Sequence, residues 1–241
     1  MINTFTGPFL GILGGMGPLA SATLMTRLAQ LTPATSDQEH IPSILWSDPR
    51  TPSRPAAYLH QGPDPLPWML NGITHLEHAG AKTIVIPCNT AHLWFDALCA
   101  HTQLPIIHIV DAVIQNLQDQ GIRSGRIGLM ATSATLASML YQDRLHAHGY
   151  ECLTPNAEEI EKYCSVPIEF AKKGKLDAAQ RAVTPGVTTL FSRGAQAIIL
   201  GCTELPLALP HPVRNFWDIP IIDSIDALTH AAIRWYTQQP H

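Results

Sequence analysis

The chain has 241 residues, of which 46% are hydrophobic and 14% are charged, and its formal net charge is −4. This length allows one large domain or two small ones with real cores, and no basic stripe suggests a nucleic-acid partner. The apolar runs are too short to cross a membrane, no secretion signal is evident, and the five cysteines form no Cys-x-x-Cys pair, so we expect a cytoplasmic protein without disulfides.

Short apolar runs alternate with helical patterns, which predicts α/β units with mainly parallel sheets. In the first half of the chain, strands are predicted over 8–13, 43–46, 81–87 and 106–110, and helices over 16–31, 64–80 and 89–101. Eight prolines between positions 33 and 67 make most of that segment a loop, because proline donates no backbone hydrogen bond and breaks helices.

The same pattern restarts in the second half. Strands are predicted over 126–130, 150–153, 197–201 and 220–222, and helices over 136–149, 158–172, a stretch before Gly194, and 225–236. A helix follows each of the two Pro-Ile-Ile segments, and we expect it to cross to the other half. We therefore predict two intertwined α/β halves, the first of residues 1–111 plus 225–241 and the second of residues 112–224.

Three pairs of similar segments indicate an internal repeat. Residues 11–21 match residues 128–138, the run into Cys88 matches the run into Cys202, and Pro105-Ile-Ile matches Pro220-Ile-Ile. The offsets are 128 − 11 = 117, 202 − 88 = 114 and 220 − 105 = 115 residues. Two pseudo-symmetric halves would bring the two cysteines to opposite sides of the cleft between them.

The two matched cysteines are the strongest candidates for catalysis. Each follows a buried strand, and the carboxyl ends of parallel strands line the ligand crevice of such sheets. The helix start predicted after Cys88 favours a thiolate, which can take up a proton. A single cysteine more often fills space in a core, but a matched pair favours chemistry. Cys99, Cys152 and Cys164 lack repeat partners and are expected to be structural.

Polar and glycine-rich turns follow the same strands. The turn Gly14–Pro18 opens a helix but matches neither a dinucleotide fingerprint nor a phosphate-binding loop with its lysine. Hydroxyl and amide side chains stand beside the cysteines and at the equivalent turn of the second half. These groups could hold the carboxylates of a ligand, although turn and capping roles are about as common. They are Asn89, Thr90, Thr132, Thr135 and Thr203.

Two cations and two residues near the cysteines complete the candidate site. Arg54 lies in the proline-rich loop and Lys172 begins a Lys-Lys-Gly-Lys cluster; either could bind a carboxylate or be merely solvated. His92, four residues after Cys88, could tune that thiol or pack in the helix. Glu204 could polarise Cys202 or cap a helix. No metal-binding spacing of histidines occurs, so no metal is predicted.

Three of these motifs resemble the signatures of aspartate racemases, which belong to the cofactor-independent Asp/Glu racemase superfamily. They are Gly14-Gly15-Met16-Gly17-Pro18, Pro87-Cys88-Asn89-Thr90-Ala91-His92 and Gly201-Cys202-Thr203-Glu204. The resemblance spans 11–227 and implies a pseudo-symmetric two-domain α/β fold that is usually a homodimer and needs no cofactor. It also implies two catalytic bases, one cysteine removing the α-proton and the other returning one to the opposite face.

The resemblance further implies which residues bind the substrate. Arg54 and Lys172 would bind its side-chain carboxylate, and the other contacts would be Met16, Asn89, Thr90, Thr132, Thr135 and Thr203. The chain departs from the family at Ala134, where glycine is common, and at Pro55, where threonine is common.

The expected reaction interconverts L- and D-aspartate, with glutamate as a possible second substrate. Two alternatives stay open: a cysteine-dependent isomerase of the same superfamily, such as a maleate cis–trans isomerase, and a non-catalytic amino-acid-binding protein. Arg54 argues against a hydantoin racemase, because the substrate of that enzyme is larger and neutral.

Overall fold

The computed structural model describes residues 7–239, and the strands among them form two four-stranded parallel sheets. The strands of the first sheet are β1 (Phe9–Gly14), β2 (Ser43–Ser47), β3 (Ala81–Val85) and β4 (Ile106–Ile107). Those of the second sheet are β5 (Gly125–Met130), β6 (Tyr150–Leu153), β7 (Ala197–Leu200) and β8 (Ile221–Asp223).

The two sheets have the same strand order. The order is β2-β1-β3-β4 in the first sheet and β6-β5-β7-β8 in the second, so adding four to each strand number converts one order into the other. Parallel strands covered by helices on both faces are apolar throughout, and β7 is buried at all four of its positions. The predicted α/β fold with two pseudo-symmetric halves is therefore confirmed.

Helices cover both sheets. The first five helices along the chain are α1 (Pro18–Leu31), α2 (Arg54–Tyr58), α3 (Leu66–His78), α4 (Phe95–His101) and α5 (Ile109–Asp119). Those that follow are α6 (Ser133–Ala137), α7 (Gln142–Ala147), α8 (Ala157–Ile160), α9 (Val166–Lys172), α10 (Leu176–Ser192), α11 (Leu205–Ala208), α12 (His211–Arg214) and α13 (Ser224–Thr237). No helix in residues 7–239 is long and apolar enough to cross a membrane.

The two helices that follow the Pro-Ile-Ile segments join the halves. Helix α13 follows the second sheet but packs against α1 and α5, and α5 in turn contacts α7 and β8 of the second half. One hydrophobic core accordingly includes Leu10 and Ile12 of β1 together with Ile127 and Leu129 of β5. This shared core fixes how the two sheets face each other. The boundaries at 111/112 and 224/225 stay a prediction.

Three predicted helices differ from the structure. The stretch predicted over 89–101 begins as a 3₁₀ helix, Thr90–Trp94, and becomes α4 only at Phe95, so no α-helix starts directly after Cys88. The stretch predicted over 136–149 divides into α6 and α7, because Met139 adopts a left-handed backbone conformation with φ of 60°. The stretch predicted over 158–172 contains a π-helical turn, Glu161–Ser165, just before Pro167 in the first turn of α9. Proline lacks the backbone N–H that an α-helix uses for its hydrogen bond to the residue four positions earlier. The chain therefore forms the wider π-helical turn just before it.

Two predicted strands are shorter than expected; the one predicted over 81–87 ends at Val85. The segment 106–110 is apolar enough for a strand throughout, but β4 ends at Ile107 and α5 begins at Ile109. The side chain of His108 caps this helix: its Nδ1 accepts a hydrogen bond from the Val110 amide at 3.1 Å. The cap turns the chain into a helix two residues after the strand ends.

Candidate active site

The two matched cysteines lie at equivalent ends of the two sheets. Cys88 follows β3 by three residues and Cys202 follows β7 by two, and β3 and β7 occupy the same place in their sheets. Both side chains are nearly buried, at 6% exposure each, and both line one cavity between the halves. The fold therefore brings together the two groups that the internal repeat singled out.

This cavity has a volume of about 350 Å³, including the space at its mouth. Most of its walls are the residues predicted from the sequence, and Pro55, at which the chain departs from the family, is also among them, whereas no sequence pattern marks Ile168 as a lining residue. The lining residues are Met16, Arg54, Pro55, Cys88, Asn89, Thr90, Thr132, Ile168, Lys172, Cys202, Thr203 and Glu204.

The thiol of Cys202 faces a carboxylate. Its Sγ donates a hydrogen bond of 2.9 Å to Oε2 of Glu204, which also accepts from the Thr203 hydroxyl at 3.3 Å. Burial, the negative charge of Glu204 and this hydrogen bond raise the pKa of Cys202 well above its usual value. The surroundings of Cys202 therefore favour its protonated thiol form.

The surroundings of Cys88 are different. No carboxylate is bonded to its thiol among the described residues; instead His92 lies behind it, with Nδ1 2.9 Å from the Cys88 carbonyl oxygen. The Ile109 amide donates to Nε2 of His92 at 3.2 Å, so Nδ1 carries the ring proton. Burial lowers the pKa of His92 to about 4. His92 is therefore neutral, acts on the Cys88 backbone and does not line the cavity.

Three threonine hydroxyls form a connected cluster across the two halves. Oγ1 of Thr90 lies 3.0 Å from that of Thr135 and 3.3 Å from that of Thr132, and Thr132 donates to Thr135 at 2.9 Å. Thr90 and Thr132 line the cavity, whereas Thr135 is fully buried and supports the other two. Ala134 beside them is also fully buried.

Two cations line the cavity, one from each half. Arg54 begins α2, where its Nη1 donates to the carbonyl oxygens of Thr51 and Pro52 at 3.1 and 2.9 Å. Its Nε is buried and has no hydrogen-bond partner among the described residues. An unpaired guanidinium donor beside a cavity is available to an anionic ligand.

Lys172 is the second of these cations. Burial works against its charged form, but its 2.9 Å hydrogen bond to Glu169 and the charges of Glu169 and Glu204 together raise its pKa. Lys172 and the adjacent Lys173 are both exposed, but only Lys172 lines the cavity, so it is the lysine at the site.

The glycine-rich turn approaches the site through its backbone. Met16 lines the cavity, and Gly15 has φ of 87° with the backbone of Asp48 directly beside its Cα. Any side chain at position 15 would collide with that backbone, which explains the glycine. The Gly15 amide is used internally, since it donates to Oγ of Ser21 at 2.9 Å.

The side chain of Asn89 has two protein partners that the sequence did not reveal. The Tyr141 hydroxyl donates to its Oδ1 at 2.5 Å, and its Nδ2 donates to Oγ of Ser224 at 3.1 Å. The internal repeat contains a weak signal for Ser224, because it places this serine opposite Ile109 at the start of the equivalent helix. Nothing in the sequence distinguishes Tyr141 from an ordinary core aromatic.

The remaining cysteines lie away from the cavity. Burial raises the pKa of both Cys152 and Cys164 to about 12, so neither is reactive near neutral pH. Cys99 is exposed, and its pKa is raised by partial burial and by Asp96. All three are free thiols.

A second cluster of titratable side chains lies at the start of α13. His211, Asp223 and Asp226 bring possible metal-ligating atoms within 4.8 Å of one another. Both carboxylates already have cationic partners, since Arg27 holds Asp226 at 2.5 and 2.9 Å and Arg214 holds Asp223 at 2.8 Å. This cluster is an ion-pair network that ties α13 to α1 and α12.

The fold and the cavity define a class of protein: an α/β protein of two similar halves, with matching cysteines on a shared cavity. The chain belongs to the Asp/Glu/Hydantoin racemase family, whose family model matches residues 13–232. The resemblance to Asp/Glu racemases is therefore confirmed.

Individual relatives agree with this membership. The aspartate racemase of Picrophilus torridus is 30% identical, with a TM-score of 0.84 over 98% of this chain and 96% of that one. The broad specificity amino-acid racemase RacX of Bacillus subtilis is 26% identical over 94% of this chain and 97% of that protein. A glutamate racemase of Campylobacter jejuni, 19% identical with a TM-score of 0.64, covers 94% of this chain and 85% of that one and shares the fold.

Proposed function

We propose that this protein interconverts the L- and D-enantiomers of aspartate, with glutamate as a second substrate, by a two-base mechanism that uses Cys88 and Cys202. The observation that carries this proposal is the single small cavity lined by both cysteines, each of which follows the equivalent strand of its sheet. Two similar groups on opposite sides of one carbon suit a reaction whose two directions are mirror images.

In the proposed reaction, the thiolate of one cysteine takes the α-proton, and the electron pair of the broken C–H bond moves into the α-carboxylate as an enediolate. The thiol of the other cysteine then donates its proton to the opposite face of the same carbon. The first cysteine ends as a thiol and the second as a thiolate, so the two have exchanged protonation states. No net proton or electron is gained, and the reverse reaction uses the same groups in opposite roles.

We assign the resting thiol to Cys202. The hydrogen bond to Glu204 and the burial of Cys202 both favour its protonated form. In the reaction direction that starts from this state, Cys88 is the base and Cys202 the acid. The reverse direction starts from the exchanged state.

The polar wall and the two cations have separate tasks in this proposal. The hydroxyls of Thr90, Thr132 and Thr203 would donate to the α-carboxylate as negative charge accumulates there. For Thr132 and Thr203 this requires the hydroxyl to turn from its internal acceptor, Thr135 or Glu204, towards the substrate. The unpaired Nε of Arg54 and the ammonium of Lys172 would bind the side-chain carboxylate.

A second candidate is racemisation of amino acids with longer, uncharged side chains. A larger cleft of about 820 Å³, which includes the open space at its surface, shares Arg54, Lys172 and Glu204 with the cysteine cavity. Its other walls include Pro18, Leu19, Pro49, Ala171 and Leu207, which are apolar. A side chain too long for the inner cavity could extend into this space, and the similarity to a broad specificity amino-acid racemase supports this candidate.

The test is incubation of the purified protein with L-aspartate in heavy water. We expect D-aspartate to form with deuterium at Cα, as measured by NMR and chiral chromatography. A panel containing glutamate, methionine and leucine decides between the acidic and the broad substrate range, and maleate tests the isomerase alternative. Binding of aspartate without deuterium exchange would instead support a non-catalytic binding protein.

Cysteine variants test the mechanism. Cys88→Ala and Cys202→Ala should each lower racemisation by at least about 10³-fold, within the range for loss of a general acid or base. Cys99→Ala removes an exposed thiol outside the cavity and should leave the rate unchanged. Substantial turnover in either cavity variant would refute the two-base assignment. We also expect a cytoplasmic homodimer, which size-exclusion chromatography and cell fractionation would test.

A further inference from the structure

The side-chain amide of Asn89 is held at both ends by residues of other chain segments. Its Oδ1 accepts a 2.5 Å hydrogen bond from Tyr141, and its Nδ2 donates one of 3.1 Å to Ser224. Asn89 is 2% exposed, and both partners are fully buried. Water cannot replace these bonds, so losing either partner would leave a buried amide group unsatisfied.

The three residues come from opposite sides of the cleft. Asn89 follows Cys88 directly, after β3 of the first sheet, whereas Tyr141 precedes α7 and Ser224 follows β8, both beside the second sheet. The partners are 52 and 135 residues from Asn89 along the chain. The hydrogen bonds therefore connect the segment that carries Cys88 to the half that carries Cys202.

Tyr141 is suited to be a permanent donor in this arrangement. Burial raises the pKa of Tyr141, so its hydroxyl stays protonated. The hydroxyl can therefore donate to Asn89 throughout a reaction cycle.

We propose that Tyr141 and Ser224 are positioning residues, which hold Asn89 and thereby keep Cys88 aligned with Cys202 across the cavity. This inference rests on the proposed function, in which one cysteine removes a proton from one face of Cα and the other returns a proton to the opposite face. The two cysteines must therefore stay aligned. In this view the side-chain amide of Asn89 fixes the geometry of the site. It does not need to bind the substrate, which is the role that the family resemblance implied.

The main test replaces Tyr141 by phenylalanine, which removes only the hydroxyl. We expect kcat to fall about 10- to 100-fold in both directions while KM changes less than about twofold, as for a small misplacement of reacting groups. Tyr150→Phe is the matched control. That tyrosine is 2% exposed, and its hydroxyl donates to the Ile122 carbonyl at 2.7 Å, outside the cavity. Both kinetic constants should be unchanged in this control.

A second measurement detects misalignment specifically. In heavy water, a cysteine that removes the α-proton can exchange it with solvent and return deuterium to the same face, whereas inversion needs the opposite cysteine. We expect the ratio of exchange with retention to inversion to rise in Tyr141→Phe and to stay at the wild-type value in Tyr150→Phe. If Tyr141→Phe fails to fold, Ser224→Ala removes the other end of the bridge and should raise the same ratio.

A third measurement separates this inference from the proposed function. Freeing Asn89 should loosen the segment around Cys88, so iodoacetamide should label Cys88 faster in Tyr141→Phe than in the wild type or in Tyr150→Phe. If the wild type racemises no amino acid, the proposed function fails, and the labelling rates still decide the positioning role. Equal behaviour of the two tyrosine variants in kinetics, exchange ratio and labelling would overturn the inference.

Discussion

The two sides of the cavity are built on the same backbone plan but differ in chemistry. Cys88 and Cys202 follow equivalent strands, yet the residue that supports Cys88 is a neutral histidine on its carbonyl, whereas Cys202 faces the carboxylate of Glu204. His108 and Asp223 likewise cap equivalent helices with different side chains. The repeat thus fixes where the sulfur atoms lie, and Glu204, which the described residues of the first half do not match with a carboxylate beside Cys88, raises the pKa of Cys202.

The two cations that line the cavity, Arg54 and Lys172, also differ in their surroundings. Arg54 of the first half is held by two backbone carbonyl oxygens and keeps an unpaired Nε, whereas Lys172 of the second half is paired with Glu169. Each half therefore contributes one cation, but only the lysine has an internal anionic partner among the contacts of the described residues. A substrate carboxylate would compete with Glu169 for Lys172 and would find Arg54 available.

Among changes to the residues around the two cysteines, the largest effect should come from Glu204→Gln, which keeps the shape of the side chain but removes its charge. Without that charge the pKa of Cys202 falls, because a main cause of its elevation is lost. We expect the alkaline limb of the pH–rate profile to move to lower pH and kcat to fall about 100-fold, as for an impaired general acid.

The matched control for this variant is Glu158→Gln, which affects a carboxylate in an exposed ion pair with Lys162. Its pH–rate profile should coincide with that of the wild type. If the alkaline limb of Glu204→Gln stays in place, the carboxylate does not hold the Cys202 thiol protonated, and the contrast between the two sides of the cavity would lose its chemical basis.

A smaller effect is expected for Lys172→Gln, which removes the cation of the second half. KM for aspartate should rise about tenfold with little change in kcat, because a charge-assisted hydrogen bond to the substrate is worth roughly 1.5 kcal/mol. Lys173→Gln removes the adjacent, exposed charge and serves as the control, with KM expected at the wild-type value. Similar KM values in both variants would show that general surface charge, and not Lys172, attracts the substrate.

Much of the fold could be predicted because its signals are local. The buried strands are continuous apolar runs, and the matched offsets of the repeat are enough to assign the two cysteines to equivalent strand ends. The predicted helices failed where a single residue changed the backbone: Met139 in a left-handed conformation and Pro167 beside a π-helical turn. No glycine marks position 139, so the break there leaves no trace in the sequence.

The site was predictable where its residues stand next to the repeated motifs and unpredictable where they approach from afar. Glu204 and His92 lie within four residues of a cysteine, and the sequence suggested both. Tyr141 and Ser224 reach Asn89 across 52 and 135 residues, and only the packing of α7, β8 and α13 brings them there. Such contacts depend on how the two halves meet, which local patterns do not encode.

The smallest expected effect is on the pH dependence of stability, and it concerns His92 and His108. It tests whether these two histidines, which lie near Cys88, are neutral in the folded protein. Burial lowers the pKa of His92 to about 4 and that of His108 to about 2, whereas both titrate near 6.5 when unfolded. Between pH 6.5 and 4 the unfolded chain therefore binds more protons than the native protein, so stability is full above pH 6.5 and falls as the pH drops. Each histidine should contribute up to about 1.4 kcal/mol per pH unit to the pH dependence of the unfolding free energy measured in urea.

His92→Gln should reduce this pH dependence by up to that amount, and His78→Gln, at an exposed position, is the control. An unchanged pH dependence in His92→Gln would mean that His92 is not held neutral behind Cys88.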